Sequence, residues 1–239
     1  MVELDSAAPP VMPAWSRRVS RRARRLSARV FVDGRVEIVV PVGASESIVD
    51  RFVDRYRVWI EARVARCLPL GREAEPFPPA ALCLTAIEEH WLIDWQPDAG
   101  RARLSIDGQR LQLSGEGSSA DWRRLLLTWM KRRGQHVVGP RLDRLAQAHG
   151  YRYSALRWRC QRTRWGSCSI GGVLNLNVCV LFQTPEVLNY LLCHELAHLR
   201  HPNHSAAYWG AVADLCPGWQ TQDRRLRQGW RHVPRWVFN

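Results

Sequence analysis

From Arg24 to Val40 apolar and polar residues alternate, with Phe31, Val36, Ile38 and Val40 at apolar positions and Asp33-Gly34 between the two halves. A period of two is the signature of a strand, and Asp-Gly between two such runs is a hairpin signal. The spacing then becomes helical. Behind Ser45, a suitable N-cap, Ile48, Val49, Phe52, Val53, Tyr56, Trp59, Ile60 and Val64 recur through about Cys67 and predict a helix with one apolar face. The proline-rich stretch 71–79 reads as a connection. Two strand-like segments follow, 82–95 and 101–114, hinged at the turn Pro97-Asp98-Ala99-Gly100, and Asp107-Gly108 suggests a second hairpin.

In the second half, Ser119 is the expected cap of a helical stretch over 120–148 that carries Trp122, Leu125, Leu126, Trp129, Met130, Val137, Leu142 and Leu145. Gly139-Pro140 predicts a kink or break, and Gly150 a stop. Leu156–Gln161 and Val173–Phe182 read as strands around the turn Ile170-Gly171-Gly172, and Pro185 opens a helix running to about Arg200. The expected class is α+β, with a flexible leader over residues 1–16, a β-rich region with a small twisted sheet and a helix over 17–117, and a helix–strands–helix region over 118–239.

At 239 residues, 46% of them hydrophobic and 24% charged, the chain can bury a substantial core without covalent staples. Its seven cysteines (Cys67, Cys83, Cys160, Cys168, Cys179, Cys193 and Cys216) include no CxxC pair, and their number is odd. That argues against a disulfide framework and for a reduced, cytoplasmic setting. The arginines from Arg17 to Arg25 have no apolar signal-peptide run beside them, and no stretch approaches the ~20 apolar residues of a membrane span. The net charge of +13 could serve an anionic partner such as nucleic acid. Of the 35 basic residues only Lys131 is lysine, so a broad preference for arginine and a solvated basic surface is the competing reading.

The chemistry concentrates in HELAHLRHPNH. His194 and His198 are four residues apart, so on a helix both imidazoles project from one face, a turn apart, and can share a tetrahedral metal. Glu195, next to the first ligand, is placed to accept a proton from a metal-activated water as general base. Val187, Leu188, Leu191, Leu192, Leu196 and Leu199 cover most of the helix, so His194 and Glu195 should be at least partly buried and in need of partners. For a third ligand His201 and His204 compete. His201 lies about 10 Å of helical rise beyond His194, too far to meet it around one ion, whereas Pro202-Asn203 can turn the chain so that His204 folds back. Three histidines with an open fourth position are a catalytic arrangement of one Zn²⁺ rather than a structural one, although such a site would accept other divalent metals. Cys193 points about 100° away from His194 and reads as core.

The linked motifs RTRWGSC (162–168), VLNLN (173–177), PEVLNYLLCHELAHL (185–199) and PNHSAAYW (202–209) resemble those of the YgjP-like metallopeptidase family, zincin-fold HExxH proteins related to SprT-like peptidases. RRLSARVFVDGRVEIVVP and the helix after it resemble the family's N-terminal part, so the likeness runs from about residue 20 to 227. It implies a zincin-like catalytic region around the HExxH helix, zinc ligands at His194, His198 and His204, and a catalytic Glu195. It also marks Arg164, Trp165, Gly166, Ser167 and Asn177 as motif positions, with Asn177, like Arg164 and Tyr208, a candidate substrate or oxyanion contact. In zincin-like peptidases a sheet edge over the metal pairs with extended substrate. Arg164 could then stabilise a developing oxyanion, with a structural salt bridge as the competing role. Tyr208 departs from the phenylalanine expected there, and its phenol could donate to a tetrahedral intermediate or simply pack beside Trp209.

These readings converge on a zinc metallopeptidase acting on protein or peptide substrates, with no membrane association. Two alternatives are a DNA-associated SprT-like protein or protease that uses the basic surface, and a non-catalytic zinc-stabilised module. The presence of Glu195 beside the ligands counts against the last, since a structural site has no need of a base.

Overall fold

Alternation places Val36, Ile38 and Val40 on the buried side of strand β3 (Val36–Pro41). In the computed structural model, which describes residues 14–31, 34–67 and 77–238, this strand is the centre of a three-stranded sheet. β2 (Ser27–Val30) pairs with it antiparallel, from Ser27 opposite Val39 to Val30 opposite Val36, which is the expected hairpin. Asp33 of its turn lies outside the described residues, while Gly34 takes a φ of 81°. β1 (Trp15–Ser20) runs parallel along the other edge and takes in Trp15 and Ser16, the end of the expected leader. The helix behind Ser45, α1 (Glu46–Cys67), buries Val49, Val53, Ile60 and Val64 in a core shared with β3. Ile48, Tyr56 and Trp59 belong to the same periodic set yet remain exposed, because the apolar stripe is wider than the face the small sheet covers.

The chain divides into two compact units, Met1–Arg72 and Glu73–Asn239. The second begins with a four-stranded sheet of order β4-β5-β7-β6, formed by β4 (Ala81–Leu84), β5 (Glu89–Arg101), β6 (Arg103–Asp107) and β7 (Arg110–Glu116). β6 and β7 form the hairpin expected at Asp107-Gly108. Pro97–Gly100, expected as a hinge, does not end a strand: β5 continues through it with a register shift against β7 between Gln96 and Arg101. A bulge-like irregularity lets the chain bend without leaving the sheet. Of the proline-rich connection, 71–76 lie outside the described residues.

Helix α2 (Ser119–Ala148) is capped by Ser118 rather than Ser119. Ser118 Oγ accepts from the Asp121 amide at 3.3 Å, and the Asp121 carboxylate accepts from the Ser118 amide at 3.0 Å, a reciprocal capping box. Of the kink or break expected at Gly139-Pro140, a break does not occur: the proline sits inside a single helix. Gly150, at a φ of 67°, ends it as expected.

A second three-stranded sheet, of order β8-β10-β9, comprises β8 (Ala155–Arg159), β9 (Gly166–Cys168) and β10 (Val173–Asn177). The turn before Val173 joins β9 to β10 antiparallel, whereas β8 lies parallel to β10 on its other side. The apolar run expected to prolong the last strand instead coils into a buried 3₁₀ turn, Val178–Phe182. Three helices complete the unit: α3 (Pro185–Ala197), α4 (Ala206–Leu215) and α5 (Trp219–Gln228). Met130 and Leu142 of α2, Leu174 and Leu176 of β10, and Leu188, Leu192 and Leu196 of α3 share one core. Truncating such a buried leucine to alanine costs about 2–5 kcal/mol. Among the described residues no helix is long and apolar enough to cross a membrane.

Candidate metal centre

Pro185 sits in the first turn of α3, where its missing N–H costs no hydrogen bond, and the helix carries His194 one turn before His198. Their rings are 5.0 Å apart between centroids. The helix ends at Ala197, and turns through Arg200 release the chain before Pro202. Ser205 then caps α4, its Oγ accepting from the Tyr208 amide at 3.3 Å. Between the two helices His204 returns to within 5.3 Å of the His194 ring and 4.8 Å of the His198 ring. One ligand atom from each of His194, His198 and His204 lies within 4.8 Å of the others. His201 is not part of that cluster, but its carbonyl lies 3.1 Å from His198 Nδ1. A carbonyl can only accept, so Nδ1 carries the proton and Nε2 keeps its lone pair for a metal.

The donor set fits a zinc-like ion. Tetrahedral zinc with Zn–N bonds of about 2.0–2.1 Å separates its nitrogens by about 3.3–3.4 Å, and Nε2 of His194 and Nε2 of His204 are 3.4 Å apart. Burial pushes the His194 imidazole down to about 3, helped by its two histidine neighbours, and lowers that of His198. Neutral imidazoles are the form that ligates a metal.

Glu195 is 3% exposed, and its Oε2 has no hydrogen-bond partner. Burial pushes its carboxyl up to about 8, against the pull of Arg164. A carboxyl poised near neutrality is suited to proton transfer. Its cradle is Gly166, the first residue of β9, where any side chain would meet the carboxyl group. Arg164 itself is exposed, and among the described residues its guanidinium has no ion pair. Its charge acts on the Glu195 carboxyl by electrostatic attraction, without an ion pair between them among the described residues.

Asn177 and Tyr208 present no free polar atom to the centre. Asn177 is 1% exposed; its side-chain amide donates to the carbonyls of Gln161 at 2.6 Å and Arg164 at 2.8 Å, and its oxygen accepts from the Cys179 amide at 3.1 Å. It clamps the loop that carries Arg164. Tyr208 is fully buried, donates to the His194 carbonyl at 3.2 Å, and stacks on His198 with ring centroids 4.5 Å apart. Ser167 accepts from Asn175 within the sheet, at 3.3 Å on its hydroxyl. Trp165 stacks on Trp230 at 3.9 Å. Cys193 is buried and donates to the Leu215 carbonyl at 3.5 Å, a core residue as the helical geometry required.

Sequence reasoning missed four contributors. Tyr190 lies 3.2 Å from His194 Nδ1 and 2.9 Å from Asp223 of α5. Trp209 stacks between His204, at 5.5 Å, and Trp219, at 4.2 Å. Tyr190 could have been found from its spacing of four residues before His194, which puts both on one helix face. Asp223 and Trp219 are brought in by tertiary folding and leave no local signal.

The model of the YgjP-like family, metallopeptidase domain, matches residues 24–229. The chain belongs to this family. Membership of the YgjP-like family makes a metal-dependent peptidase the coarse functional class. Among solved structures, the metallopeptidase zymogen of Pyrococcus abyssi abylysin is similar at 28% identity over 36% of this chain and 87% of that one, with a TM-score of 0.33. No curated protein matches the chain.

Proposed function

We propose that the chain is a zinc metallopeptidase that hydrolyses peptide bonds, with one ion held by His194, His198 and His204 and with Glu195 as general base. The observation that carries this reading is the meeting of three imidazole ligand atoms within 4.8 Å of one another beside a buried carboxyl group that has an unpartnered oxygen. When bound, the ion would supply Lewis acidity towards a water molecule and the scissile carbonyl.

Glu195 takes the proton of the attacking water and delivers it to the leaving nitrogen. Its raised carboxyl favours the first transfer, since a stronger base takes the proton of water more readily. Burial against Gly166 fixes the carboxyl and excludes competing water. Arg164, exposed and without an ion pair, is suited to the charge that develops on the carbonyl oxygen. Strand β9 pairs only with β10 among the described residues, so its outer edge is open to an extended peptide laid beside Glu195. The residues given these roles all fall within the expected zincin-like region, residues 118–239, and within the second compact unit.

The test is Glu195→Gln, which preserves shape while removing the base. Purified wild type and variant should each retain about one zinc per chain, and hydrolysis of a mixed peptide library should fall about 100- to 10,000-fold in the variant. Full activity in Glu195→Gln, with zinc retained, would overturn the mechanism.

A further inference from the structure

Resting on the reading of His194 as a metal ligand, we infer that Asp223, acting through Tyr190, decides which nitrogen of His194 carries the proton and so presents the other one to the metal. Asp223 is a positioning residue, contributed by α5 rather than by the helix that bears the motif.

The argument is one of proton count. Tyr190 Oη lies 2.9 Å from Asp223 Oδ1 and 3.2 Å from His194 Nδ1, so a phenol with one proton faces two potential acceptors. An ionised carboxylate can only accept. The phenol proton therefore goes to Asp223, and the phenol oxygen turns a lone pair towards His194. Nδ1 must then be the N–H, which leaves the lone pair on Nε2, the atom 3.4 Å from His204 Nε2. Asp223 is aimed by Arg227, whose Nε donates to its second oxygen at 2.7 Å. Tyr190 is fully buried and the Asp223 side chain is 16% exposed, so these bonds act in a poorly screened environment. His198 reaches the same tautomer through the His201 carbonyl. His194 Nδ1 instead faces the Tyr190 phenol of its own helix, and Asp223 of α5 supplies the acceptor that orients it.

Without Asp223 the phenol is free to turn its proton towards Nδ1. The imidazole would then hold its proton on Nε2, where it blocks ligation. A purely structural Tyr190–Asp223 bond predicts no such change.

The experiment uses zinc-free full-length protein with ¹⁵N-labelled histidine, in which NMR reads the His194 tautomer, together with zinc affinity by chelator competition. Wild type should show Nδ1–H. Asp223→Ala should move His194 towards Nε2–H and weaken zinc about 10- to 100-fold, and Tyr190→Phe should weaken zinc to a similar degree. Asp223→Asn, whose carbonyl can still accept, should fall between, and it carries the same readout if the alanine variant does not fold. An unchanged tautomer in Asp223→Ala overturns the inference, whether or not affinity falls, because a loss of affinity alone is what a structural role gives. Neither measurement needs a substrate. Protein that binds zinc normally but cleaves nothing would defeat the peptidase reading and leave this one standing.

Discussion

Gly166 lies against the carboxyl group of Glu195: a Cβ at residue 166 would stand 2.2 Å from Oε1 and 2.8 Å from Cδ. The glycine of the RWGSC motif is thus required by space rather than by backbone angle. In Gly166→Ala either the carboxyl group or strand β9 must move. A shift near 1 Å in a reacting group lowers turnover about 100-fold, while zinc content, set by the histidines, should stay at the wild-type level. Measuring kcat/KM and bound metal on the same preparation checks this. Wild-type turnover in the alanine variant would mean that Gly166 does not set the position of Glu195.

His204 is the exposed member of the cluster, and Trp209 and Trp219 stack behind it with rings only 12° from parallel. A ligand from a loop depends on such a wall to hold its rotamer. Trp209→Ala should weaken zinc about 10-fold, and Trp209→Phe, which keeps an aromatic face, should recover most of that loss. Chelator competition distinguishes the two, and equal affinity in all three proteins would rule the wall out.

Asn177 satisfies three backbone groups at once, and its own amide donates to the Trp165 carbonyl at 2.7 Å. Asn177→Ala should lower stability by about 2–4 kcal/mol, because buried groups lose their partners. Urea unfolding followed by tryptophan fluorescence measures it. A loss below about 0.5 kcal/mol, the scale of a neutral surface change, would show that the clamp contributes little.

Away from the centre, Glu89 accepts from Arg133 on both oxygens, with bonds of 2.7–3.0 Å, and from Trp91 Nε1 at 2.7 Å. Burial alone would raise its carboxyl, but the bonds from Arg133 and Trp91 prevail and hold it below the ordinary 4.5. A carboxyl group depressed by folding contributes stability above its unfolded value and loses it as pH falls through the folded value. The melting-temperature gap between wild type and Glu89→Gln should therefore be constant from about pH 7 to 4.5 and close below that. A gap that widens in acid would reverse the sign.

The parts of the molecule legible in the sequence are those set by short-range periodicity. The spacing of His194 and His198 fixed their shared face, Pro202 turned His204 back, and two Asp-Gly pairs marked hairpins, although Asp33 of the first lies outside the described residues. What escaped was decided by partners distant in sequence. Residues 178–182 are apolar throughout, so no period separated a strand from the buried 3₁₀ turn they form. Pro97–Gly100 carries every mark of a turn, yet pairing with β7 resumes at Arg101. Gly166 gave no hint of its purpose, because a missing side chain declares itself only when its neighbour is known.

The clamp made by Asn177 has a kinetic consequence. The backbone beneath Arg164 is tied at Gln161, Arg164 and Trp165, so in the proposed mechanism the guanidinium would meet a substrate by rotating its own side chain rather than by movement of that loop. Side-chain rotation takes picoseconds to nanoseconds, whereas lid closure takes microseconds to milliseconds. If Arg164 serves as proposed, its approach to the substrate would therefore not be the step that paces turnover.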